Sequence, residues 1–421
     1  MRLNRRRFLG TAAASAALLS SPIALGQKRP RVVIIGGGAG GATAARYLAK
    51  DSDGAIEVIL IEPSRTYYTC FFSNLAIGGF QPMSKLAHSY GTLASDYGVT
   101  VVHDWASAVD REKKVVRLAG GDTISYDRLV LSPGIDFVKG AIEGWDVTAQ
   151  TKMPHAYKAG TQTQLLKAQI EAMPEGGTFA MVAPPNPYRC PPGPYERVSM
   201  VAHVLKQRNP TAKILILDPK EKFSKQGLFM EGWENHYAGM VDWLTDEFTG
   251  GVQRVDPDTM EIVLEDETIK ADVVNVIPAM QAGSIAQQAG LTNEAGWCPI
   301  VPATLQSRMD ENIHVLGDAT QNGDMPKSGY SANSQAKAAA MAIRHALTGS
   351  RAFKPRFSNT CWSLISPDNG VKVGASYVAT DEKIAKVDGF ISQNNEDDAL
   401  RKQTYEESLG WYAGMTADMF G

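Results

Sequence analysis

Arg31-Val32-Val33-Ile34-Ile35-Gly36-Gly37-Gly38-Ala39-Gly40-Gly41 decides how this chain folds. Its first five residues read as an apolar strand. Gly36, Gly38 and Gly41 then keep the spacing of a dinucleotide-binding turn, and the stretch from Ala42 to Lys50 reads as the helix that follows. Glycines at these places let a pyrophosphate approach the free N–H groups of the helix N-terminus. A second apolar strand, Ile56 to Ile61, ends at Glu62, whose carboxylate can bond a ribose diol and disfavours a 2′-phosphate. A tight turn with an incidental acid would explain the glycines alone. Strand, glycines, helix and acid in this order predict a dinucleotide site.

Working outward, residues 100–131 alternate short apolar runs with turns such as Gly120-Gly121-Asp122, the pattern of a small antiparallel insertion. A helix over Thr161–Ala172 and a strand over 178–183 open a second α/β unit, which continues in the strand Lys213–Asp218. Its turn is not glycine-rich. The strand runs instead into Pro184-Pro185-Asn186-Pro187-Tyr188-Arg189-Cys190-Pro191-Pro192-Gly193-Pro194, and prolines remove the N–H groups that a second pyrophosphate would need. The chain is therefore expected to hold one dinucleotide and, in place of another, a rigid loop presenting a thiol.

The stretch 272–278 reads as the route back to the first domain. There Asn312–Leu316 is a strand ending in Gly317-Asp318, followed by an Ala-rich helix from Ser331 to Leu347. An acid at that point can hold a ribityl hydroxyl, or simply cap the turn. The predicted class is α/β: two Rossmann-like dinucleotide-binding-type domains, the first discontinuous, plus a smaller α+β C-terminal domain. The boundaries are 30–145 with 272–350, then 146–271, then 351–421.

Composition is ordinarily globular, with 44% hydrophobic and 21% charged residues among 421. Asn4-Arg5-Arg6-Arg7-Phe8-Leu9-Gly10, an apolar run to Leu19 and a small-residue site near Gly26 predict a twin-arginine signal over residues 1–26, hence a periplasmic protein. That run is shorter than the roughly 20 residues of a membrane span, and no later segment replaces it. The leader holds four arginines and no acid, so a chain of net charge −3 becomes one of −7 without it. An acidic surface argues against nucleic acid and suits a basic partner. The four cysteines, Cys70, Cys190, Cys298 and Cys361, are too few for a disulfide scaffold, and without a Cys-x-x-Cys-His sequence no c-type haem is expected on this chain. No metal site is expected.

The opening glycine pattern, the late Val315-Leu316-Gly317-Asp318 and the two α/β units resemble the two-dinucleotide-domain flavoproteins of the glutathione reductase superfamily. Within it, Tyr67-Tyr68-Thr69-Cys70, Cys190-Pro191-Pro192-Gly193-Pro194-Tyr195-Glu196 and Cys361-Trp362-Ser363 look like the flavoprotein subunit of flavocytochrome c sulfide dehydrogenase, a relative of the sulfide:quinone oxidoreductases. The resemblance covers nearly the whole chain. It implies FAD joined by a thioether from Cys70, a redox-active disulfide between Cys190 and Cys361, sulfide as substrate, and a separate c-type cytochrome subunit as acceptor. Cys298 matches none of these positions and reads as a buried thiol.

On chemistry alone, Cys70 has the alternative of a core residue beside Phe71 and Phe72, and a bridge across 171 positions has that of a staple worth ~2–4 kcal/mol. A staple gives no reason to displace a nucleotide loop. Glu196 can take a proton from sulfide if burial raises its pKa, or be a solvated residue at a helix start. Lys327 can steady a reduced flavin, or lie on the surface. Trp233, Trp297 and Trp362 are read as core. The competing readings are a sulfide:quinone oxidoreductase and a non-catalytic FAD-binding or assembly protein.

Overall fold

Three parallel strands with almost wholly buried residues form the centre of the first domain's sheet, as expected where helices cover both faces of a sheet. In the computed structural model, which describes residues 29–421, β1 (Arg31–Ile35) is followed by α1 (Ala39–Ser52) and pairs in parallel with β2 (Glu57–Ile61). The short β3 (Thr100–Val102) adds beyond β2, and β4 (Arg128–Leu131) adds on the other side of β1. Between β3 and β4 lies a three-stranded antiparallel meander over residues 106–125, as the alternating pattern predicts. The twin-arginine leader lies outside the described residues.

The second domain is a parallel sheet built from β5 (Thr178–Val182), β6 (Lys213–Asp218), β7 (Val241–Thr245) and β8 (Val273–Val276), in spatial order β7-β6-β5-β8. Here one boundary is corrected. The stretch at 272–278 does not start the return to the first domain, because β8 pairs with β5 from Phe179↔Val273 to Val182↔Val276. Its polar residue, Asn275, is satisfied inside that sheet by donating to the Pro154 and His155 carbonyls. The crossing comes after Pro278, where Met280–Ala282 pairs with Ile135–Phe137. A second antiparallel meander, residues 254–270, repeats the plan of the first domain without visible sequence repetition.

β9 (Asp310–Val315) then pairs with β4 and completes the first sheet, and α3 (Gly329–Thr348) packs against α1. Ser328 caps α3 by accepting the Ser331 N–H. The chain ends in three antiparallel strands, β10 (Arg356–Ser366), β11 (Asn369–Ala379) and β12 (Ile384–Ile391), and in α4 (Asp398–Phe420). β10 lies against the second domain's α2 (Gly193–Arg208), while Trp411 and Tyr412 of α4 pack on Phe71 and Phe72. The third domain thus presses Cys361 towards both others. Among the described residues, no helix is long and apolar enough to cross a membrane.

Candidate active site

A cleft of about 680 Å³ runs along the C-terminal edge of the first sheet, lined at one end by Glu62, along its floor by Gly36, Gly37 and Gly38, and further on by Gly317 and Asp318. Gly36 holds φ +96°, and a Cβ there would strike the Ser132 carbonyl; a Cβ on Gly41 would strike the Gly36 carbonyl. Gly36 and Gly41 are thus steric requirements of the turn, and the N-terminus of α1 faces a space that a pyrophosphate could fill. Glu62 accepts N–H groups from Gly37 (2.8 Å) and Ser64 (2.9 Å), which fixes its carboxylate at the end of β2. Asp318 is buried, and its Oδ1 has no hydrogen-bond partner. Burial pushes its carboxyl above the ordinary range, against the pull of Arg189. An orphaned acceptor in this wall fits a ribityl hydroxyl.

The corresponding acid of the second domain is closed off. Asp218 ends β6 as Glu62 ends β2, but its carboxylate is closed by Lys220 Nζ (2.6 Å), Tyr195 OH (2.6 Å) and Trp243 Nε1 (2.9 Å). An acid so filled has no capacity left for a ribose, and prolines replace the glycines before it. The one-dinucleotide expectation therefore has a second physical basis.

At Cys70, Phe71, Arg189 and Gly329 the cleft meets a smaller cavity of about 80 Å³. This one is lined by three of the four cysteines, Cys70, Cys190 and Cys361, together with Glu196 and Trp362. The proline-framed loop holds Cys190 at φ +56°, with its N–H donating to the Lys327 carbonyl (2.8 Å) and its own carbonyl accepting from Gly193 (2.8 Å). Cys361 comes from the middle of β10, where Asn359 Nδ2 approaches its Sγ at 3.5 Å. All four cysteines are thiols in the structure. Burial pushes the Cys190 thiol well up and raises Cys361 as well. Cys298 is fully buried beside Trp297 and lines neither cavity, and burial pushes it up to about 12.

Glu196 is not a solvated helix start. It sits in the first turn of α2, where its carboxylate accepts from Asn74 Nδ2 (2.8 Å) and the Leu364 N–H (3.0 Å), and burial raises its pKa in spite of both bonds. Asn74 is held in turn by Arg197 Nε (3.2 Å), whose guanidinium also donates to the His155 and Ala156 carbonyls. Lys327 is buried rather than on the surface, but its ammonium donates to the Asp318 (2.9 Å) and Thr320 (2.6 Å) carbonyls and lies over the Trp297 ring, so the structure places it outside both cavity walls. The cation at the junction is Arg189, which pairs with Asp318 (3.6 Å) and donates to the Tyr157 carbonyl. Sequence reasoning missed it, although it stands next to Cys190. It also missed Trp362, which forms the cavity wall with Trp411 rather than joining the core.

A glycine-floored cleft joined to a thiol cavity, on two Rossmann-like sheets and a third covering domain, defines a disulfide-oxidoreductase type of flavoprotein. Comparison with known proteins agrees. The pyridine nucleotide-disulphide oxidoreductase family matches residues 30–170. The central part of the sulfide dehydrogenase (flavocytochrome c) flavoprotein chain matches residues 163–278, and the flavin-binding part of flavocytochrome c sulphide dehydrogenase matches 353–420. The chain belongs to the pyridine nucleotide-disulphide oxidoreductases and, within them, to the sulfide dehydrogenase flavoproteins related to sulfide:quinone oxidoreductases. It is 54% identical over 44 residues to the sulfide dehydrogenase (flavocytochrome c) flavoprotein chain of Chlorobaculum thiosulfatiphilum, 10% of this chain and 90% of that sequence. It is 25% identical over 321 residues to the mitochondrial sulfide:quinone oxidoreductase of Dictyostelium discoideum, covering 73% of this chain and 68% of the relative. Its fold matches the sulfide:quinone oxidoreductase structure from Aquifex aeolicus with a TM-score of 0.74 at 18% identity, over 93% of this chain and 91% of that one.

Proposed function

We propose that this chain is an exported, FAD-carrying sulfide dehydrogenase subunit that oxidises hydrosulfide to zero-valent sulfur through a Cys190–Cys361 disulfide and passes the electrons to a c-type cytochrome subunit. One observation carries the reading: Cys190, Cys361 and Glu196 share a cavity that opens, at Cys70, onto the dinucleotide cleft. Gly36, Gly38, Gly41, Glu62, Gly317 and Asp318 would hold FAD, with Cys70 as its covalent attachment point. Bound FAD supplies an acceptor for the two electrons removed from sulfur and releases them singly, as a haem partner requires.

The residues of the cavity do the rest. Hydrosulfide attacks one sulfur of the disulfide; a new S–S bond forms, the old one breaks, and the electron pair leaves on the other sulfur as a thiolate. Glu196 accepts the proton of the persulfide. Over the cycle, hydrosulfide loses two electrons and one proton and leaves as zero-valent sulfur. The apolar walls of Phe71, Trp362 and Trp411 suit that uncharged product.

Acid precipitation of the native protein tests the attachment. Flavin is expected to stay with the polypeptide on the peptide containing Cys70, and Cys70→Ala to release it. Anaerobic mixing tests the acceptor: after reduction by sulfide, ferric cytochrome c is expected to reoxidise the protein faster than a short-chain quinone. Preference for the quinone would reassign the chain to the sulfide:quinone oxidoreductase reading.

The base makes a separate prediction. Glu196 must be ionised to accept a proton, and its pKa is raised, so flavin reduction by sulfide should increase with pH through a value above the ordinary carboxylate range and level off beyond it. Rates are compared at constant hydrosulfide concentration, which removes the titration of the substrate. Glu196→Gln should abolish that limb and slow reduction by roughly 10²-fold; an unchanged profile would exclude the role.

A further inference from the structure

Lys225 is a buried ammonium whose hydrogen-bond partners are all neutral oxygens. It lies at φ +64° just before the helix Gln226–Tyr237, and its Nζ donates to the Ser363 hydroxyl (2.8 Å) and the Cys361 carbonyl (3.0 Å), with the Val371 carbonyl at 3.5 Å. These acceptors lie on β10 and β11, so a side chain of the second domain grips the strand that carries Cys361. Three neutral oxygens solvate a cation only in part, and a buried charge without a counter-ion in contact is costly. No direct ion pair fixes it: among the described residues Lys225 takes part in no salt bridge, whereas Lys220, close by in sequence, is paired with Asp218.

The groups that can become negative near it belong to the thiol cavity. Cys361 comes from β10, Cys190 from the proline-framed loop and Glu196 from α2; burial pushes the Lys225 ammonium down to about 8, and these three, when negative, act against that push. Arg197 on α2 faces Glu196 and Cys190, and Tyr377 on β11 faces Cys361. Burial alone disfavours a thiolate at either cysteine, yet opening a disulfide with hydrosulfide must leave one: an anion enters, and the displaced sulfur departs with the electron pair and the same single negative charge.

We propose that Lys225 is the positioning residue of this site, a standing counter-charge that stabilises the thiolate left on Cys361 and fixes the strand presenting it. Its cavity-facing partners are Cys361 and Ser363, so it acts through them and touches no substrate. The inference rests on the reading of Cys190 and Cys361 as the reacting pair. Its own test uses neither sulfide nor an electron acceptor, so each can fail without the other.

The full protein is reduced and its cysteines are alkylated with iodoacetamide over a range of pH, with Cys361 followed by peptide mass spectrometry. Lys225→Gln, which keeps a hydrogen-bond donor but removes the charge, is expected to raise the alkylation midpoint of Cys361 by about one pH unit or more. Lys225→Arg should hold it near the wild-type value. Ser363→Ala, a change of one small side chain, removes an acceptor from the ammonium and should move the midpoint in the same direction by less. If Lys225→Gln does not fold, Ser363→Ala decides. A midpoint unmoved in the folded variants, with only the melting temperature lowered, would make Lys225 a structural clamp and overturn the proposal.

Discussion

Cys361→Ser is expected to slow sulfide-dependent flavin reduction by roughly 10³-fold or more while leaving flavin content near that of the wild type and melting temperature near that of the wild type with its disulfide reduced. The substitution changes one atom in a half-buried side chain whose polar neighbour, Asn359, can donate its amide N–H to a hydroxyl as readily as to a thiol. It therefore removes the chemistry and spares the packing. Cys190→Ser should do the same, since its loop geometry is set by the backbone bonds to Lys327 and Gly193, which no side chain supplies. The double variant should be no slower than either single one, because two sulfurs of one disulfide act as a unit and their losses do not add. Alkylation before and after reduction of the oxidised wild type should reveal one protected pair of thiols. Turnover retained by both single variants would sink the disulfide mechanism and favour a chain that carries FAD without using its thiols.

What the sequence made legible follows the range of the interactions. β1, the glycine turn, α1 and Glu62 are contiguous, and each local preference agrees with the next, so the cleft can be read from residues 31–62 alone. The proline-framed loop is legible for the same reason. Glu196 gains its buried setting from Asn74, 122 positions away, and from the Leu364 N–H, 168 positions away, and neither leaves a local mark. Lys225 reads as one more lysine in a charged stretch until the terminal strands close over it. Lys327 shows the opposite failure: its position near the cleft is legible, but two carbonyl oxygens turn its ammonium elsewhere and leave Arg189 as the junction's cation. Trp362 alternates with the buried Ser363 along β10, and only the placement of that strand against α4 puts its indole in the cavity wall. The β8 boundary misled because a short, wholly buried run can join either of two parallel sheets.

Gly41→Val should cost the protein its flavin. Gly41 is not needed for a left-handed backbone: it lies within α1, at ordinary helical geometry. The constraint is the close approach of α1 to β1, where a Cβ on residue 41 would overlap the Gly36 carbonyl oxygen and come within 3.3 Å of Ile34 Cγ2. Backbone cannot rotate aside as a side chain can, so the helix must shift, and overpacking of this kind costs about 1–3 kcal/mol or more. The shift falls on the first turn of α1, whose N–H groups and positive dipole end face the cleft, so binding suffers beyond the loss of stability. Flavin absorbance per polypeptide is expected to fall tenfold or more, with a lowered melting temperature. Gly410→Ala is the control: a Cβ there meets open space on α4, and the change should keep the flavin and add up to ~1 kcal/mol of helix stability. Full flavin content in a folded Gly41→Val protein would mean that the cofactor does not depend on this turn, and the cleft along β1 would lose its assignment.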